Sequence, residues 1–124
     1  MKKFPLLVFF AGLFANQSIL GASSVASSTI SFPSGSETVS ARLVAPEGNG
    51  PLPAVILVHE WWGLNEWVGH KAEEIAQHGF VALAVDLYRG KSTSNRDEAH
   101  ELMRGLPSDR ALRDLSAALD YLQN

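Results

Sequence analysis

The sequence predicts an α/β fold: an N-terminal β-hairpin, then a β-α-β unit, then two further helices. Three observations carry that prediction. Ala54-Val55-Ile56-Leu57-Val58 and Phe80-Val81-Ala82-Leu83-Ala84-Val85 are continuous apolar runs, as required of parallel strands covered on both faces. Between them, Val68, Ala72, Ile75 and Ala76 recur at helical spacing, with Glu73, Glu74 and Gln77 on the other side. Upstream, Val39, Ala41 and Leu43 alternate with Thr38, Ser40 and Arg42, the period of a half-buried antiparallel strand.

Composition narrows the class. The 124 residues are 46% hydrophobic and 19% charged, which suits one globular domain and not a disordered chain. Ten Lys and Arg against thirteen Asp and Glu give a formal net charge of −3, so nucleic acid is not an expected partner. There is no cysteine. Disulfide scaffolds, zinc-thiolate sites, iron–sulfur clusters and a cysteine nucleophile are therefore excluded within these residues.

The first element in chain order is a leader. Met1-Lys2-Lys3 precedes an apolar run from Phe4 to Ala15 and then a small, polar tail, the layout of a secretory signal peptide. The run is shorter than the roughly 20 residues of a spanning helix, so no stable membrane anchor is expected. Cleavage is expected after Ala22 or Ala26, leaving an exported domain over 27–124, periplasmic or secreted. Residues 1–26 are read as signal peptide and leader remnant, with Ser23 to Ser28 small and polar.

The remaining elements follow in order. Thr29–Phe32 and Thr38–Ala45 are the hairpin strands, joined through Pro33-Ser34-Gly35-Ser36. Pro46 to Pro51 is rich in turn residues. In the crossover helix, Asn65 is placed to cap the start and Gly79 to take the left-handed end. Ser94 and Asp97 have the spacing of a capping box before the stripe Ala99, Leu102, Met103 and Leu106, which Gly105 and Pro107 stop. Ser108 is the expected cap of the last helix, whose stripe is Ala111, Leu112, Leu115, Ala118, Leu119 and Leu122.

In open parallel sheets, ligands bind beyond the carboxyl ends of the strands. Two such ends occur here, His59-Glu60-Trp61-Trp62-Gly63-Leu64-Asn65 and Asp86-Leu87-Tyr88-Arg89-Gly90. Glu60 is expected in a partly dry crevice, where its protonation couples to a neighbouring nucleophile. The backbone N–H groups after it are placed to stabilise an oxyanion. In the alternative reading Glu60 caps the next helix and the tryptophans pack over it.

Those two segments, with the helix end His78-Gly79-Phe80, resemble the N-terminal half of the dienelactone hydrolase family. The resemblance runs from about Ala54 to Asn124, and the hairpin fits the family's first two strands. It implies an α/β-hydrolase-type fold, truncated before the nucleophile strand. It also implies action on a small carboxylic ester or lactone, with no metal or organic cofactor. By resemblance, Glu60 is the carboxylate that contacts the nucleophile and tunes its ionisation, and Trp61 supplies an oxyanion-hole N–H. Arg96 falls where the family pairs an arginine with the substrate carboxylate. His59 stands where the type enzyme has glutamine, and Asp86 matches a strand-end aspartate that is structural. The family's nucleophile lies in a Gly-x-Cys-x-Gly elbow on the next strand, its acid and histidine later still. Neither that elbow nor Gly-x-Ser-x-Gly occurs in these residues. The expectation is that this chain alone does not run the covalent mechanism.

His59, His70, His78 and His100 lack metalloprotease spacing and are expected to be solvated. Trp61, Trp62 and Trp67 form either an apolar wall for substrate, with Trp62 a substrate-binding candidate, or a cover for the sheet end; packing is expected for Trp62 and Trp67. Arg89 and Lys91 are read as solvated loop charges. Two rivals to the hydrolase reading stand: an exported α/β binding module without turnover, and a half-protein that needs a missing C-terminal half, a partner or self-association. The last helix and an open sheet edge favour association.

Overall fold

The computed structural model of the protein describes residues 23–48 and 50–124. The basic start, apolar run and first cleavage site of the leader lie outside these described residues. Within them are β1 (Val25–Ser34), β2 (Glu37–Pro46), β3 (Ala54–Val58), α1 (Glu66–Gln77), β4 (Val81–Val85), α2 (Arg96–Arg104) and α3 (Ser108–Gln123). One four-stranded sheet has the order β1-β2-β4-β3. The pairs β1–β2 and β2–β4 are antiparallel, and β3–β4 is parallel. None of the helices described is long and apolar enough to cross a membrane.

The hairpin begins earlier than the sequence predicts. Val25 pairs with Pro46 and the ladder runs unbroken to Ser34 opposite Glu37, so Val25–Ser28 is strand and not a loose tail. A serine-rich strand is stable here because it forms the sheet edge, where backbone pairing is satisfied on one side and polar side chains meet water. Ser27 accepts from Arg42 Nε at 3.1 Å, and Ser24 donates to Glu47 at 2.5 Å. A leader cut after Ala22 would leave β1 whole; one after Ala26 would remove its first pairs.

Alternation sorts the core into two layers. On one face Ala41 pairs with Val85 and Leu43 with Leu83; these pack with Phe32, Val39, Leu87 and Ala118 of α3. On the other face Val44 pairs with Ala82 and packs against Ala72 and Ala76 of α1. Alanines on both strand and helix let α1 approach the sheet closely. β4, the inner parallel strand, is buried along nearly its whole length. β3 is only half-buried and Val58 is 56% exposed, because among the described residues β3 is a sheet edge. Its continuous apolar run therefore overstates its burial.

Helix ends correct two expectations. Asn65 caps α1, accepting from Val68 N at 3.2 Å, and Gly79 follows its end at φ +93°. In α2 the cap is Asn95, not Ser94; its Oδ1 accepts from Asp97 N at 2.9 Å and Glu98 N at 3.1 Å. Asn95 sits one residue nearer the first turn, and Thr93 holds it by accepting from Asn95 N at 3.0 Å. Ser108 is the first helical residue of α3, and Pro107 precedes it with no side-chain cap.

The face that α3 buries is also rotated from the predicted stripe. Asp114 and Ala118 are buried, whereas Leu112 is 67% exposed and Leu119 48%. The reason is electrostatic. Asp114 accepts from Ser34 Oγ at 2.6 Å and from both terminal nitrogens of Arg89, at 2.7 and 3.1 Å. Arg113 adds a bond to Ser34 at 3.2 Å and an ion pair to Glu37. Arg89 is thus not a solvated loop charge. It adopts φ +56°, a left-handed conformation costing about 1 kcal/mol, which the paired bonds to Asp114 offset.

Candidate active site

The site is assembled where the chain leaves β3 and β4. His59 is buried at the end of β3, contrary to the expectation of a solvated histidine. Leu87 N donates to its Nε2 at 3.2 Å, so Nε2 is the acceptor and Nδ1 carries the proton. That proton is donated to the Glu60 carbonyl at 2.7 Å. One neutral imidazole thereby ties the end of β3 to the end of β4, with Tyr88 edge-on at 4.6 Å. Burial also pushes the Tyr88 phenol up from its ordinary value. Asp86 is structural, as the resemblance implied: its carboxylate accepts from Tyr88 N at 3.0 Å and Gly90 N at 2.5 Å, closing the turn after β4.

The turn after β3 is pinned as firmly. Gly63 N donates to Glu60 O at 3.1 Å, and Thr93 N donates to Trp62 O at 3.0 Å. Gly63 bridges to Ser92 in the next loop. It stands at φ +87°, and a Cβ there would collide with the Lys91 carbonyl, so only glycine fits. The loops that follow the two parallel strands are therefore tied to each other at this point.

This arrangement brings Trp61, Trp62 and Arg96 together. Trp61 and Trp62 lie 4.7 Å apart at 58°, and the Arg96 guanidinium carbon is 6.0 Å from the Trp61 ring. His100 of α2 stands edge-on to Trp61 at 5.0 Å and 83°, its Nδ1 buried without a partner among the described residues. The sequence offered His100 only as a metal ligand; its place one turn after Arg96 on the α2 face was the available signal. Among the described residues, the Trp61 N–H has no acceptor.

Glu60 departs from its expected setting. It is exposed, because it lies at the end of an edge strand. It does not cap α1, since Asn65 does. Its carboxylate has no ion-pair partner among the described residues, and it borders a cavity of about 240 Å³ with Trp62, Gly63, Asn65, Trp67 and Val68. Trp67, expected to pack, is 58% exposed. A larger cavity of about 770 Å³ lies apart from Glu60, among Tyr88, Arg89, Lys91, Glu98, Leu102 and Arg110. Among the described residues, no three His, Asp or Glu side chains converge as metal ligands.

A mixed sheet of order β1-β2-β4-β3 with an aromatic turn after its first parallel strand defines the start of an α/β-hydrolase fold. Residues 39–124 match the model of the dienelactone hydrolase family, and the chain belongs to that family. Protein usf of Aquifex pyrophilus is 37% identical over 87 residues, covering 65% of this chain and 37% of that protein. A protein named as a carboxymethylenebutenolidase in Aquifex aeolicus is 44% identical over 54 residues, covering 41% of this chain and 23% of that protein. A crystal structure of a protein named as a dienelactone hydrolase from Klebsiella pneumoniae superposes with a TM-score of 0.74 at 28% identity, covering 81% of this chain and 44% of that one. The chain spans less than half the length of each.

Proposed function

We propose that these residues are the N-terminal half of an exported carboxylic ester or lactone hydrolase whose nucleophile, acid and histidine are supplied from outside the 124 residues. A cysteine or serine attacks the carbonyl carbon. The Trp61 N–H donates to the resulting oxyanion, and the Glu60 carboxylate tunes the ionisation of the nucleophile. Arg96, beside the Trp61 ring, pairs with a carboxylate on the substrate, and Trp62 forms part of its apolar wall. The signal peptide and leader remnant of residues 1–26 direct export to the periplasm or beyond.

The observation that carries this reading is the Trp61 turn. Among the described residues its N–H has no acceptor and the adjacent Glu60 carboxylate no ion-pair partner, and Arg96 lies beside its ring, at the end of a parallel strand in a member of a hydrolase family. By itself the chain is expected to be inactive, since it holds no cysteine and no nucleophile elbow. A second reading, a half-protein completed by a partner or by self-association, is favoured by the half-buried edge strand β3 and by exposed Leu112 and Leu119.

The test is the intact mass of the native product, captured with an antibody raised against the domain. A mass well above that of this chain supports the hydrolase reading and directs a search for the triad in the added residues. A mass equal to this chain less its leader overturns it in favour of the half-protein or a non-catalytic binding module.

A further inference from the structure

We propose that the cavity of about 770 Å³ between α2, the start of α3 and the loop after β4 binds a small zwitterion, with a carboxylate at one end and an ammonium at the other. Its walls carry opposite charge. Lys91, in the loop after β4, and Arg110, in the first turn of α3, form one side; Glu98 and Glu101 of α2 form the other. Among the described residues no ion pair joins the two walls, and neither Lys91 nor Arg110 has a carboxylate partner. A ligand of one sign is attracted by one wall and repelled by the other. A ligand with both charges satisfies each wall in turn.

Arg110 fixes the anionic end. Its Nη2 donates to the Leu87 carbonyl at 3.3 Å, which places the guanidinium next to Tyr88 of the lining. Its Nε is buried with no partner among the described residues. A half-buried guanidinium with one neutral acceptor is under-satisfied, and a carboxylate is the group its planar fork matches. Arg89 also borders the cavity, but both of its terminal nitrogens are bonded to Asp114. The acidic wall is looser. Glu98 accepts from the Thr93 hydroxyl at 2.6 Å, and Glu101 pairs only with Arg104 at 3.6 Å, where both side chains are exposed. An ammonium, with three donors and no fixed fork, suits such a rim. Leu102 supplies apolar surface for the carbon chain joining the two ends.

The cavity is separate from the Trp61 turn and from the open side of the sheet. On α2, Arg96 and His100 reach Trp61, whereas Glu98, Glu101 and Leu102 lie on the opposite flank at about 100° per residue. On α3, Arg110 lies about 180° around the helix from the exposed Leu112 and Leu119. The open edge strand β3 leads into the Trp61 turn, while the cavity follows β4, its inner neighbour. A segment added at β3 or over Leu112 and Leu119 therefore approaches from the other side. The volume falls within the roughly 300–1,000 Å³ of small-molecule sites. Binding here needs no turnover, so it stands or falls independently of the hydrolase reading.

The experiment is equilibrium dialysis of the full chain against radiolabelled 6-aminohexanoate at fixed ionic strength, with hexanoate and hexylammonium as competitors that keep one charge each. Saturable binding is expected. Hexylammonium is expected to compete roughly tenfold more weakly than unlabelled 6-aminohexanoate, and hexanoate about threefold more weakly. Arg110→Gln is expected to erase the margin over hexylammonium and to keep the margin over hexanoate. Glu98→Gln combined with Glu101→Gln is expected to do the reverse, a crossed pattern that general loss of structure does not produce. Circular dichroism verifies the fold of each variant, and the exposed glutamate pair decides the question if Arg110→Gln does not fold. Non-saturable binding, equal competition by either single-charge analogue, or margins unchanged in the folded variants would overturn the proposal.

Discussion

Asp114 and Glu60 are both carboxylates near the sheet, and the protein treats them in opposite ways. Asp114 is fully buried and accepts three hydrogen bonds, two of them from a guanidinium. Burial alone would raise its carboxyl, but the bonds from Arg89 and Ser34 and the charges of Arg89 and Arg113 outweigh that, holding it below the ordinary aspartate range. Arg89 is raised in return, chiefly by its hydrogen bonds to Asp114. Glu60 is open, unpaired among the described residues, and flanked by aromatic rings. A dry, fully partnered charge cannot reach a ligand and serves the fold. A wet, unpartnered one adds nothing to the fold and is free to act on something else.

If that contrast is right, the largest effect comes from the buried carboxylate. Asp114→Ala leaves Arg89 only its longer pair to Glu37 at 3.6 Å and takes the acceptor from Ser34, and is expected to cost about 3 kcal/mol in urea unfolding. The sign of its pH dependence follows from the lowered value. The stabilisation is present above the ordinary aspartate pKa of about 3.9 and is lost as pH falls through the folded-state value. The stability gap between wild type and Asp114→Asn should therefore be constant near neutrality and narrow below about pH 4. A gap that stayed constant to pH 2 would mean that the charge of Asp114 is not what the fold uses.

A smaller effect is expected where the two loops are joined. Gly63→Ala forces a side chain at φ +87° against the Lys91 carbonyl, at a cost of about 2 kcal/mol. Because Trp62 and Thr93 are linked beside it, the indole signals in the near-ultraviolet circular dichroism should change as well. Asn65→Ala removes a helix cap and should cost about 1 kcal/mol by thermal denaturation. Glu60→Gln sits at the bottom of the series. Its stability should stay within about 0.5 kcal/mol of wild type, while on the proposed hydrolase reading the pH profile of kcat/KM should shift with the nucleophile's ionisation. A stability loss comparable to that of Asp114→Ala would erase the distinction between the two carboxylates.

Much of the fold was legible because its signals are local. β3 reads directly from Ala54 to Val58, and the alternation in β2 assigns Ala41 and Leu43 to one face and Val44 to the other. The site turn was legible too, since Glu60 and Trp61 follow a strand with nothing helical between them. Less legible was α3, where counting apolar residues pointed to Leu112 and Leu119. Asp114, spaced three and four residues from Ala111 and Ala118, was the sign that a charge turns inward, but its partner Arg89 is distant in the chain.

The sequence by itself determined the order of strands and helices, the two layers of small and branched apolar side chains, and the family signature around Glu60 and Asp86. Each of these follows from the period of side chains along one segment or from residues adjacent in the chain. The tertiary structure decided that Arg89 is an internal partner, that His59 is a neutral link between strand ends, and that Glu60 and Trp67 face solvent. Those outcomes depend on which charges and edges meet across the sheet, and contacts between distant segments have no periodicity in a single chain.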